Sequence, residues 1–132
     1  MIDHINFPLV SILLFHAIVF TQSGLDKLFK WKGNLDFTTQ TLGETFSKQT
    51  IKLALLVVLV LETIGGLLSL IGMVYNLINE ECLIIAQIGL VSCTGALLVL
   101  LFGQRISQNY EGAKTIAIYF IVSIIGLMMI FN

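Results

Sequence analysis

The side chains in this sequence that could do chemistry inside an apolar medium are few, and they fall near one depth. Glu62 lies near the middle of the apolar run Ile51–Tyr75, IKLALLVVLVLETIGGLLSLIGMVY, with Gly65 and Gly66 directly after it. A carboxylate at the centre of a bilayer costs on the order of 2.5–3.5 kcal/mol on insertion scales, so it needs a partner, water or a proton. His16 lies midway through the first apolar run, Phe7–Leu25. An imidazole and a carboxylate at equal depth on consecutive antiparallel helices can share a proton or form an ion pair, which offsets the burial of both. His16 and Glu62 are therefore the candidate catalytic residues. The plainer alternative is a protonated Glu62 bonded to serine or backbone, fixing the bundle without chemistry. For His16 alone the plainer alternative is a structural hydrogen bond.

Around this pair stand the candidate cofactor-binding residues. Glu62, Gly65, Gly66 and Ser69 recur at i, i+3, i+4 and i+7, one helix face on which glycines admit a second helix or a flat ligand. A quinone headgroup needs hydrogen-bond donors and acceptors in such an apolar cleft, and His16 and Glu62 could supply them. Lys27 joins the group because His16, Phe20, Ser23 and Lys27 fall on one stripe of the first helix. It is expected to face inward along that stripe, with contact to Glu62 left open, rather than to snorkel to the headgroups.

Other chemistries are excluded or weakened. Cys82 and Cys93, on one helix, would stand roughly 16 Å apart, beyond the ~7 Å a disulfide spans. Cys93 reads as a small apolar residue, while Cys82, near a membrane surface, keeps the option of pairing between molecules. No CxxC pair and no metal-spaced Cys/His cluster occurs, which argues against a membrane thiol oxidase and against a metal site. His4 and His16 are the only histidines, and His4 lies outside the first run, so two helices cannot each offer a histidine to a haem. No dinucleotide-binding motif is present.

The elements that must position these residues are membrane spans. The chain has 132 residues, 57% hydrophobic and 11% charged, with mean hydropathy +0.97, whereas soluble domains carry about 25% charged residues. Its net charge of −1 lacks the basic footprint of a nucleic-acid binder. Four apolar runs, 7–25, 51–75, 82–103 and 115–131, are each near the ~20 residues a span requires. The first lacks a positive n-region and a small-residue cleavage site, so it is expected to be a retained span. Lys30-Trp31-Lys32 marks an exit from the membrane, and Gly33–Thr50 carries Leu35, Leu42 and Phe46 at i, i+7 and i+11, with Asn34 as a cap. A short interfacial helix or a plain loop fits that stretch. In the third run Gly89, Cys93, Ala96 and Gly103 form a small-residue stripe. The sum is an all-α, single-domain, antiparallel four-helix membrane bundle with an interfacial segment after the first span.

Every Lys and Arg falls on one side of such a bundle, at Lys27, Lys30, Lys32, Lys48, Lys52, Arg105 and Lys114. The opposite side, with the termini and the 76–81 turn, holds Asp3, Glu80 and Glu81. The positive-inside rule makes the cationic side cytoplasmic, which implies a bacterial inner membrane with both termini periplasmic.

Two stretches carry a family resemblance. FTQSGLDKLFKW (20–31) resembles the end of the first helix, and LETIGGLLSLIG (61–72) the second helix, of the DoxX family of small four-helix membrane proteins. The matching positions are Gly24, Lys27, Glu62, Gly66 and Gly72; His16 has no counterpart in the pattern. The resemblance implies a membrane subunit of a redox complex, such as a thiosulfate–quinone oxidoreductase or a partner of oxidative-stress enzymes, with quinone the non-covalent cofactor to expect and a protein partner beside the lipid bilayer. Two functions from different classes follow: a quinone-facing or anchoring subunit of an oxidoreductase, and a structural accessory or small-solute or proton-transport bundle without redox chemistry of its own.

Overall fold

The computed structural model describes residues 5–78 and 83–131, so His4, Cys82 and the acidic residues Asp3, Glu80 and Glu81 lie outside the described residues. The described residues form five helices: α1 (Phe7–Phe29), α2 (Trp31–Leu42), α3 (Lys48–Leu77), α4 (Ile84–Ile106) and α5 (Tyr110–Ile130). All but α2 are long and apolar enough to cross a membrane, and the chain reads as a multi-pass membrane protein. Large apolar side chains such as Ile18, Leu53, Ile121 and Met128 point outward, where in a bilayer they meet lipid.

Each helix starts where its sequence allows. Asn6 caps α1, its side chain accepting from the Leu9 N–H at 3.2 Å, and Pro8 sits in the first turn, where no donor is needed. Ser47 caps α3 and Asn109 caps α5, each accepting from a backbone N–H three residues on. The spans run past their apolar cores: α1 continues to Phe29, α3 begins at Lys48, and α5 begins at Tyr110 rather than 115. Hydropathy marks only the part of a helix that must avoid water, whereas capped polar turns extend it beyond the membrane. The α4–α5 turn is short, with Gln108 in the left-handed region at φ 60°.

The segment expected at the interface is helical as far as Leu42, and the helix starts at Trp31, earlier than the pattern suggests. Lys30, with φ −119° and ψ 39°, is the single non-helical residue between α1 and α2. Asn34 does not cap; its side-chain amide donates back to the Lys30 carbonyl at 2.9 Å. Phe46 falls beyond the end of α2 and meets Phe102 with ring centroids 6.3 Å apart. No residue of α2 is buried.

The four long helices form a ring in which α1 packs on α3, α3 on α4 and α4 on α5, with α5 returning more lightly to α1. Two buried apolar clusters fill it. One, near the end holding the N-terminus, joins Leu9, Leu13, Ala86, Leu90 and Ile130; the other joins Phe20, Cys93, Ala96 and Leu97. Glycines set the closeness of α3 to its neighbours. A Cβ on Gly66 would lie 2.5 Å from the Thr21 nitrogen and 3.0 Å from the Phe20 carbonyl carbon, and one on Gly72 would lie 2.9 Å from the Ala86 Cα. Of the small-residue stripe on α4, Gly89 and Cys93 face α3 and Ala96 is buried, while Gly103 has only Leu42 nearby, at 3.8 Å.

Two alanine substitutions separate packing from helix propensity. Gly66→Ala drives a methyl into α1 backbone and is expected to lower the stability of the purified protein by about 1–3 kcal/mol, the scale of overpacked cores. Gly33→Ala, whose Cβ would meet nothing within 4 Å, is expected to raise stability by up to about 1 kcal/mol. Thermal denaturation in one detergent reads both.

Candidate functional site

The antiparallel register of α1 on α3 decides which polar residues meet. Gly24 lies against Thr63 and Gly66 against Thr21, so Glu62 stands level with the last turns of α1. By the same register His16 stands opposite about residue 71, roughly 13 Å along the axis from Glu62. The two helices do not align by their centres, and the expected His16–Glu62 pair does not form. No hydrogen bond or ion pair joins them among the described residues.

Glu62 instead meets Lys27. The ammonium of Lys27 lies 3.0 Å from Glu62 Oε2, and the side chains are 13% and 2% exposed. Ser23 bridges them: its hydroxyl donates to the same Oε2 at 2.9 Å and accepts from Lys27 Nζ at 2.9 Å. Both contacts fall on Oε2, and Oε1 takes no hydrogen bond among the described residues. Side chains on a helix lean toward its N-terminus, which for Lys27 means back into the bundle. That lean carries its ammonium one turn inward, past Ser23, to the carboxylate. The inward-facing Lys27 and its stripe with Ser23 are as the spacing suggests.

His16 belongs to a second polar contact, between α1 and α5. Its Nδ1 lies 2.7 Å from the Ile12 carbonyl and its Nε2 2.7 Å from Ser123 Oγ. A carbonyl can only accept, so Nδ1 carries a hydrogen; in the neutral ring Nε2 is then the acceptor and the Ser123 hydroxyl donates to it. The imidazole is fully buried, stacked on Phe20 at 5.5 Å and edge-on to Phe15 at 5.6 Å. His16 and Ser123 stand at equal depth, each near the middle of its helix. Alignment of the span centres puts Ser123 at this depth as well, but a lone serine in an apolar helix does not by itself signal the pairing with His16.

The glycine face beside Glu62 is filled by protein. Gly65 faces the Cys93 sulfur and backbone of α4, and Gly66 faces α1. Ser69 is buried against Gly89 and beside the Cys93 thiol, without an aligned hydrogen bond of its own. The helices leave no gap at Gly65, Gly66 or Ser69 for a planar ring. Among the described residues no three His, Cys, Asp or Glu side chains gather where they could hold a metal ion. Cys93 is a buried free thiol.

The arrangement is a closed, charge-neutral polar cluster joining α1 to α3, with a separate neutral contact joining α1 to α5. Removing one member of a buried ion pair strands the other charge, whereas replacing both by apolar groups is often neutral. Glu62→Leu and Lys27→Met singly are therefore expected to destabilise the detergent-solubilised protein by about 3–5 kcal/mol, and the double variant by far less. Thermal unfolding of all four forms measures the coupling; additive losses would show that the pair does not act as a unit.

No protein-family model, curated protein or solved structure matches the chain, so the chemistry of this site is read from its own geometry.

Proposed function

We propose that the chain is a structural accessory of a bacterial inner-membrane complex, a four-span bundle that anchors a protein partner, with Lys27, Ser23 and Glu62 as its internal lock. The observation that carries this reading is the closure of the lock: the carboxylate is paired at 3.0 Å, bridged by Ser23, and walled by helix backbone at Gly24 and Gly66. A quinone-facing site at Glu62 would need a cleft reaching the carboxylate, and that side is taken by α1 and α4. If the partner is an oxidoreductase, electrons enter and leave within the partner. The DoxX resemblance enters this proposal in the same sense. Of its positions, Gly24, Lys27, Glu62 and Gly66 meet in the α1–α3 seam and Gly72 meets Ala86 on α4, so the resembling stretches supply helix contacts.

A second reading has one observation in its favour. Oε1 of Glu62 takes no hydrogen bond among the described residues and the Lys27 side chain is 13% exposed, which would give a proton a route from the cationic side. Retention of the partner separates the two. In the accessory reading, the Lys27→Met, Glu62→Leu double variant folds, keeps the partner seen by native mass spectrometry of the extracted complex, and keeps the complex's activity. Preserved assembly with lost activity would overturn it in favour of proton handling, because leucine cannot titrate.

The orientation proposed from the charges has its own test. In a background with Cys82 and Cys93 replaced, an impermeant maleimide applied from the periplasmic side is expected to modify Ile78→Cys and to spare Gln108→Cys. The reverse pattern would invert the bundle.

A further inference from the structure

Beneath α2 lies a cleft of about 230 Å³ that neither the lock nor the α1–α5 contact uses. α2 roofs it with Phe37, Thr38, Thr41 and Leu42; α3 and α4 form its walls, and the α4–α5 turn its mouth. Its polarity is graded. Toward the membrane centre the walls are Leu55, Val58, Val99 and Leu100, whereas Thr50, Gln104, Ser107 and Asn109 stand at the outer end. None of its lining residues is charged, although every Lys and Arg of the chain falls on this side of the bundle.

From this lining we infer that the cleft is a binding site for an uncharged amphiphile dissolved in the bilayer, with its apolar chain inward and a small hydrogen-bonding head at the mouth. An apolar cavity of roughly 150 Å³ takes up benzene, so this one has room for a substituted six-membered ring or a stretch of alkyl chain. The absence of charge selects against an anionic headgroup, which would need a cation at the mouth to leave water. Arg105, the cation nearest in sequence to Gln104, is engaged with the Tyr110 ring, 4.8 Å from its centroid. The head has partners waiting. The side-chain amide of Gln104 makes no hydrogen bond among the described residues, and the hydroxyls of Thr38 and Thr41 donate to backbone of their own helix and keep lone pairs free to accept. The roof is suited to opening, since α2 buries no residue and Phe37 is 67% exposed.

A neutral glycerolipid and an isoprenoid quinone share this chemistry, and photolabelling separates them. The full chain is reconstituted in phosphatidylcholine nanodiscs and irradiated with a monoacylglycerol bearing a diazirine in its tail, and adducts are mapped by mass spectrometry. Adducts should concentrate in residues 51–58 and 99–104. Ala54→Phe, which fills the cleft from an exposed position, should cut them at least tenfold while circular dichroism is unchanged. Gln104→Leu should weaken labelling about fivefold, the loss of one hydrogen bond. Competition by unlabelled monoolein assigns the site to a glycerolipid, and competition by decylubiquinone to a quinone; either supports the inference. Labelling spread evenly over the lipid-facing helices, insensitivity to Ala54→Phe, or stronger labelling by the matching lysophosphatidylglycerol probe would overturn it. This outcome is independent of the lock, so the accessory reading can stand or fall separately.

Discussion

The fold depends on how a bilayer treats an ion pair. In water the attraction between Lys27 and Glu62 would be about 1 kcal/mol and easily exchanged for hydration. In hydrocarbon neither charge has that exchange available, so each is confined to the one geometry in which the other is present. The Ser23 hydroxyl narrows this geometry further, because it must donate to the carboxylate and accept from the ammonium at once. Register, rotation and depth of α1 on α3 are thereby specified by three side chains. The apolar remainder of the interface could slide by a turn at little loss, since Leu, Ile and Val look alike to one another and to lipid.

Glycine makes the same seam possible. Gly24 and Gly66 bring the two backbones close enough for Ser23 to span the gap, and either one with a side chain would hold the helices apart. Specific polar contact and small-residue packing are therefore one device at this interface. On the far side of the ring the balance differs: α5 touches α1 more lightly, and the His16–Ser123 hydrogen bond and the Phe15–Tyr119 ring contact at 5.7 Å supply the direction that packing leaves open.

Much of the architecture was legible in the residues. Four long apolar helices and an inward Lys27 follow from hydropathy and from a stripe at helical spacing, whereas the stretch after the first of them reads equally as a short helix or a plain loop. The partner of each buried polar group was not legible, and the reason is geometric. Aligning the spans by their centres pairs His16 with Glu62, but helices of different length crossing the same slab need not be centred on it. A shift of a few residues is invisible to hydropathy and decides every contact. The cleft escaped for a related reason: its residues come from α2, α3, α4 and a turn, and no single stretch carries its pattern.

The single non-helical residue at Lys30 has a consequence for how the two helices of the lock are joined. One residue leaves no slack, so α2 takes its direction from the last turn of α1, the turn that carries Lys27. At its other end only residues 43–47 separate it from α3. The connection is therefore a hinge plate rather than a tether: a stiff arm with a pivot at each end, whose length sets how far the start of α3 can stand from the end of α1.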